Sequence, residues 1–531
     1  MDLAVIPNAI GRGVVAGVCV LAHLGWVPTA AQAEPAIRQS WQAFSQDPQK
    51  VQSLRDAVAR MKSLNASDPK GVAYRQSWTY WANIHGYFGP ESPFGTVAQN
   101  TQSLPEREAA YFKGIVDMTP PDDVARQVWA QCQHGTPWFF AWHRLYLFYF
   151  EKQLQLASGN PDLRLPYWDY TNPAQLKMPP EFTQPTYVDA GGKVQSNPLY
   201  EPRRAPGWAN ANHALKSQST DIDSALSEHE QFEDYQDDIE NGVHGYIHCS
   251  VAVNCPVADM GAVPYSSNDP IFWIHHANID RLWSCWRQMP GHQNPMDDAF
   301  VNQPFTFVDA SGMAVTNLVG DLFKGQLIDY QYEQEMACAR SPALTVAKPA
   351  APGAAPAKTA TTRNLLRMSE PLSITQNDTT VKLTPSADAM NGGQIETGGL
   401  SLAVKPGRAR LVLRGIRFED HPGTMFHIYL KPSGAETPKV HVGTLSFFVL
   451  PRAVSAANAA NAASGSHEHA HPSKPMNRTF DVTQALQQFA AQQQDQISVV
   501  IEAGNGREGD TSPAVRNENA RMQIKSIELM R

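Results

Sequence analysis

Six histidines fall into two groups of three, each with its own spacing. The first is His85 with His134 and His143, the last two lying in CQHGTPWFFAWHRLYLFYFEKQL. The second is His244 and His248 in HGYIHC, with His276 in NDPIFWIHHANIDRLW. Two three-imidazole clusters imply two metal ions. Imidazole suits zinc, copper, iron and nickel, and an all-nitrogen pair of sites without carboxylate or extra thiolate favours copper. A single helical histidine is more often structural. His244 and His248, however, are four residues apart, share one helix face and reach a common ion. His134 and His143 cannot share a helical turn, so a loop through Gly135 and Pro137 must return His134 to the helix that carries His143.

Several helices must bring these side chains together. His85 closes YRQSWTYWANIHG, read as a helix end. His143 is expected to open a helix in WHRLYLFYFEKQL, an acid-rich helix from about Ser224 leads into His244, and His276 sits near the start of another. Four helices converging on two metals is a bundle-core arrangement. Residues 34–64 read as helical from the spacing in VQSLRDAVARM, and 171–220 read as loop-rich. His275 and His276 are adjacent, so only one points easily at a metal. Ligating histidines usually donate their second ring N–H to a partner. Asn278 and Asp280 are the nearby candidates, with Arg144 and Arg281 competing for Asp280.

The chain has 531 residues, enough for two or more domains, and 42% hydrophobic with 18% charged residues is an ordinary globular balance. A net charge of −8 argues against general nucleic-acid binding, which wants a basic face. No stretch beyond the N-terminus is apolar for long enough to span a bilayer. At the N-terminus, Arg12 precedes an apolar run, Val14 to Trp26, that ends in a small-residue cleavage pattern at Ala31-Gln32-Ala33. Residues 1–33 therefore read as a Sec-type signal peptide, which implies export to the periplasm or the medium. Five cysteines then remain. Cys249 and Cys255 are close enough to pair, Cys285 with Cys338 is a second available pair, and sequence does not fix connectivity.

Residues 34–340 form the candidate catalytic domain. SPALTVAKPAAPGAAPAKTATT, residues 341–362, is a Pro/Ala-rich linker. Beyond it the pattern changes to period two, in SLAVKPGRARLVLRGIRF, FHIYLKP, TLSFFVLP, ISVVIEAG and MQIKSIELM. Residues 363–531 thus read as a β-rich domain with one helix at VTQALQQFAAQ. The expected fold class is α+β multidomain: a mainly α domain with a four-helix-bundle core, followed by a β-rich C-terminal domain. His467, His469 and His471 lie in a low-complexity stretch that either binds metal or is a solvated loop.

The histidine motifs, together with PYWDY at 166–170, resemble the tyrosinase, catechol oxidase and polyphenol oxidase family of type 3 copper proteins over roughly residues 37–332. The C-terminal part is similar to the β domain that lies over the copper site of plant polyphenol oxidases. The resemblance implies two copper ions, with His85, His134 and His143 on copper A and His244, His248 and His276 on copper B. O2 would be the co-substrate, and small phenols such as tyrosine, L-DOPA and catechols would be oxidised to o-quinones. It further implies a thioether from Cys132 to His134, as in fungal tyrosinases, the alternative being a small buried thiol. His275 would act near the substrate. Phe272 would stack on the phenol or simply pack, and Glu240 would hold a water that helps deprotonate it or be one more charge in an acidic helix. Val263 would leave the entrance wide. Gly245 replaces an Asn of several monophenol-hydroxylating relatives, which puts diphenol oxidation ahead of monophenol hydroxylation. Tyr330 and Tyr332 would close the domain against Arg38. The rival readings are haemocyanin-like O2 binding without turnover and a narrow-substrate o-aminophenol oxidase.

Overall fold

The computed structural model describes residues 35–333 and 364–530, except 103, 105, 209–212, 254, 256–258, 326, 369, 375–377, 386–407, 419–421, 433–437, 449–474, 492–495, 505 and 509–521. The expected leader, the linker, Cys338 and the three clustered histidines near 469 lie outside the described residues.

The first half is helical and is built on one long rod. The Phe139–Ser158 helix contains neither Gly nor Pro and is buried along most of its length. It stops where Gly159 turns left-handed at φ 68°, a conformation that suits glycine at a helix C-terminus. Against it pack the Pro48–Ser63 and Ile271–Arg287 helices. The Trp78–His85 helix begins at Ser77, whose side chain accepts the Tyr80 N–H, and the short Gly245–Val251 helix completes the group. This is the helical core that the sequence indicates, with three local differences. Residues 36–38 form a strand rather than a helix, pairing in parallel with Tyr330–Tyr332. The 139–158 and 271–287 helices each start about one turn before their histidines, because the aromatic and aliphatic residues ahead of them are buried too. The acid-rich stretch is broken into Asp223–Glu228 and Phe232–Ile239, followed by a widened turn over Glu240–His244 in which Gly242 leaves helical geometry.

A buried ionic knot ties the ends of this half together. Arg38 donates to Glu151 (2.9 Å) and to the Tyr332 hydroxyl (3.0 Å), and its guanidinium lies over the Tyr330 ring at 3.5 Å. Both tyrosine hydroxyls donate to Asp280 (2.7 Å each), and Arg144 donates to the other oxygen of that carboxylate (2.6 Å). Every charge here is paired, as deep burial requires.

The second half is antiparallel β. One sheet pairs Met425–Pro432 with Ile497–Gly504 on one side and Val440–Leu445 on the other, with Ile428 opposite Ile501 and Leu430 opposite Val499. Another is centred on Arg410–Phe418, flanked by Met476–Asp481 and Ser526–Met530. Alternate residues of both sheets, such as Leu411, Leu413, Ile428 and Ile527, share one core with Leu486 and Phe489 of the Thr483–Ala491 helix. Period-two patterning is what places these side chains on one face.

One glycine of the helical half is needed by close approach. A Cβ on Gly86 would sit 2.7 Å from Pro264 Cα and 3.2 Å from Val263 O. Gly86→Ala must therefore push the 263–264 segment away. We expect a loss of about 1–3 kcal/mol, measured as a fall in thermal unfolding midpoint; an unchanged midpoint would show that the segment yields freely.

Candidate metal centre

Four helices and one loop deliver eight ligand-type side chains to one buried volume. His85 ends the Trp78–His85 helix. Cys132 and His134 lie on the loop before the Phe139–Ser158 helix, which carries His143. His244 and His248 flank and occupy the short Gly245–Val251 helix, and His275 and His276 lie one turn into the Ile271–Arg287 helix. Two sets emerge whose potential ligand atoms each lie within 4.8 Å of one another: His85, Cys132, His134 and His143, and His244, His248, His275 and His276. The sets touch. The His143 and His276 rings stack at 4.5 Å, and His134 lies 5.5 Å from His244.

The orientation of four rings is fixed by backbone carbonyls. His85 Nδ1 meets Val263 O (2.9 Å), and His143 Nδ1 meets Phe139 O (2.7 Å). His244 Nδ1 meets Glu240 O (2.9 Å), and His248 Nδ1 meets Met260 O (2.8 Å). Each carbonyl only accepts, so each Nδ1 carries the proton and each Nε2 presents a lone pair. Asn278 and Asp280, the partners expected from proximity in sequence, do not serve: Asp280 is spent on the ionic knot, and Asn278 accepts from Arg281 (2.8 Å). The Nε2 atoms of His85 and His244 are buried without a hydrogen-bond partner, and those of His248 and His276 lie 3.3 Å apart. Buried polar atoms without partners are costly. A metal ion at each set resolves the cost, so the residues fit such ions. Burial drives the ring pKa values down, to about 3 for His85 and His244, so the rings are neutral, the form that binds metal.

Cys132 Sγ is 3.2 Å from His134 Nδ1 and 3.8 Å from its Nε2. Those nitrogens flank Cε1, so the sulfur faces that ring carbon. Cys249 and Cys255 are joined in a disulfide immediately after His248, and Cys285 is also disulfide-bonded.

The remaining expected residues surround this volume. Phe272 is fully buried and packs against His276 (4.2 Å), His85 (4.8 Å) and His248 (5.9 Å). His275 Nδ1 pairs with the Tyr170 hydroxyl (2.9 Å), which gives PYWDY a place at the site. Glu240 is buried and accepts the Gly135 N–H (2.7 Å), and burial holds its carboxyl well above the usual range. Val263 contributes its carbonyl to His85. Gly245 sits beneath the β half: a Cβ there would be 2.8 Å from Ser446 Oγ.

Sequence reasoning missed Phe448. Its ring stacks on His248 at 3.8 Å and 7°, with its centroid 5.5 Å from that of His244 and 5.8 Å from that of His134. The signal was two adjacent aromatics at a strand end. Phe447 joins the β core, so its neighbour faces the other way and joins the helical core. The β half is held down around this ring by further contacts. Ser446 donates to Asn241 O (2.9 Å), Arg478 to Asp238 (2.6 Å), Arg408 to Ser227 Oγ (2.9 Å) and Ser219 exchanges a bond with Thr444 (2.6 Å).

Residues 75–289 match the family model described as the common central domain of tyrosinase. Among curated proteins, tyrosinase HcTyr1 of Hahella sp. (strain CCB-MM4) is 33% identical over 305 residues, covering 52% of this chain and 59% of its own length. The chloroplastic polyphenol oxidase II of Ipomoea batatas is 26% identical over 344 residues, covering 58% of this chain and 50% of its own. The chain thus spans between half and three-fifths of these relatives. A solved latent aurone synthase (polyphenol oxidase) shares the fold at TM-score 0.50 and 17% identity, over 94% of this chain and 89% of that one.

Proposed function

This chain belongs, through residues 75–289, to the tyrosinase family of type 3 copper proteins, a dinuclear-copper family; from that premise we propose that it oxidises phenolic substrates with O2 and is held latent by its own C-terminal half. His85, His134 and His143 hold one copper ion, and His244, His248 and His276 hold the other. Bound copper supplies the O2-dependent two-electron chemistry by which two catechols and one O2 give two o-quinones and two waters. The observation that carries this reading is the set of four Nδ1–carbonyl contacts, which turn the neutral Nε2 atoms inward to two converging sites, those of His85 and His244 buried without any hydrogen-bond partner.

The protein's own groups do the rest. Phe139, Trp142 and Phe272 wall the histidines with apolar rings and keep water out. Glu240 holds a water that takes up the phenolic proton: its carboxyl is buried beside the His134–Gly135 loop, accepts the Gly135 N–H, and is raised above the usual carboxyl range by burial. Cys132 joins His134 as a thioether, which fixes that ring. Gly245 leaves no amide to assist a monophenol, so catechols are the better substrates. Phe448 occupies the place of a planar substrate, since an aromatic ring parallel to a ligand imidazole at 3.8 Å leaves no room for a second ring there. The C-terminal half is therefore a cover, and cleavage near the linker activates. Residues 1–33 direct export; among the described residues, no helix is long and apolar enough to cross a membrane.

Oxygen uptake on linker-cleaved protein, with L-DOPA and with tyrosine, tests the reading. Rapid uptake with L-DOPA and little with tyrosine is expected, and no uptake with either would overturn it. Glu240→Gln keeps the acceptor for Gly135 and removes the charge. It should lower kcat on L-DOPA about 10²-fold at unchanged copper content; unchanged kcat would remove Glu240 from the proton path.

A further inference from the structure

One short segment touches both histidine sets. Met260 O accepts from His248 Nδ1 (2.8 Å), and three residues later Val263 O accepts from His85 Nδ1 (2.9 Å). These two rings belong to different sets. The orientation of one ring in each set is therefore decided by the position of a single stretch, residues 259–263.

Two devices hold that stretch. At its start, the Cys249–Cys255 disulfide ties the approach to the residue following His248. The second device is ionic. Asp259 is buried, with a carboxylate that accepts from Arg203 Nε. The other two guanidinium nitrogens of Arg203 donate to Lys113 O (2.7 Å) and Tyr111 O (2.6 Å), in and just after the separate helical turn Ala110–Phe112. The planar fork thus satisfies three acceptors at once, which a lysine ammonium does not do in one geometry. Asp259 itself has φ 56°, one of two described non-glycine residues in the left-handed region. That conformation costs energy for most side chains and persists only where surroundings impose it. Its carbonyl then accepts the Ala262 N–H (3.0 Å), closing the turn that aims the Met260 carbonyl at His248.

We propose that Arg203 and Asp259 are a positioning pair for the whole dinuclear centre: they lock the 259–263 segment so that its two carbonyls orient His248 and His85 together. This rests on the copper reading above. Neither residue touches a histidine, and nothing in the ligand motifs points to them. Loss of outer partners of metal-bound histidines costs about 10- to 100-fold in affinity. Here one pair acts on a ligand of each ion, so both ions loosen together.

The test uses the purified full chain at pH 8. Burial pushes the Asp259 carboxyl up to about 7, against the pull of Arg203 and with Glu201 and Asp269 adding to the rise, so pH 8 keeps it ionised. The variants are Asp259→Asn, which tolerates the left-handed backbone and removes the charge, and Arg203→Lys, which keeps the charge and removes the fork. Arg126→Lys, in an exposed ion pair with Glu91, is the control. Copper retention is measured against increasing concentrations of a chelator, alongside thermal midpoints of copper-loaded and copper-stripped protein. Both variants should release both coppers at a chelator concentration at least about 10-fold lower than wild type, while their copper-stripped midpoints stay near wild type and the control is unmoved. Unchanged retention would overturn the proposal. So would an equal fall of loaded and stripped midpoints, because that is general destabilisation. If wild type itself binds no copper, the parent reading fails, and that outcome is separate from any difference between variants.

Discussion

His248→Ala should remove one of two copper ions and abolish catechol oxidation in both the intact and the cleaved chain. The expected loss exceeds the roughly 10- to 100-fold that removal of an outer partner costs, because the ligand itself is gone. Three contacts disappear with this ring. Its Nε2 leaves the second set, its Nδ1 no longer engages Met260 O (2.8 Å), and Phe448 loses the imidazole on which it stacks (3.8 Å). Atomic absorption and oxygen uptake read the first consequence directly. Two coppers retained with unchanged uptake would remove His248 from the site. His275→Ala is the informative comparison. Its Nδ1 faces Tyr170 rather than a carbonyl, and it should keep both ions.

Phe448→Ala acts in the opposite direction. The intact chain should gain activity on L-DOPA by about 10- to 100-fold. Full burial of a phenylalanine contributes about 1.5–3 kcal/mol, and ring stacking adds about 0.5–1.5 kcal/mol. Removing the ring weakens the cover by that amount and also vacates space over His248. The remaining seam, from Arg478–Asp238 to Ser446–Asn241, keeps the two halves docked. Activity should therefore rise without a change in mass or in unfolding cooperativity. The linker-cleaved form should gain nothing from the same substitution. An intact Phe448→Ala chain as slow as wild type would mean that the seam, not the ring, blocks access.

That these histidines gather in two groups was legible because their spacing is local, although Cys132 and His275 join the groups beside the expected threes. An i,i+4 pair, a nine-residue loop-and-helix pair and a helix-end histidine each carry their own geometry. The C-terminal strands were legible from their period-two pattern, and the helical core from its aromatic runs. What stayed hidden depends on contacts between distant segments. The Met260 and Val263 carbonyls are backbone groups, so no residue type announces them; Asn278 and Asp280 looked better as imidazole partners because sequence displays only side chains. Phe448 resembled one more strand residue, since its significance lies in the face it turns away from its own core. The short Ala36–Arg38 strand is created by its partner Tyr330–Tyr332, 294 residues on, and by the buried knot at Asp280, rather than by any local preference.

The most direct measurement is copper content together with oxygen uptake on L-DOPA, on the same preparation, before and after cleavage within residues 341–362. Two coppers per chain are expected in both forms, with slow uptake before cleavage and fast uptake after it. Fewer than two coppers would contradict the paired histidine sites. Two coppers that bind O2 reversibly but support no turnover, even after cleavage, would contradict the oxidase reading and leave an oxygen-binding protein.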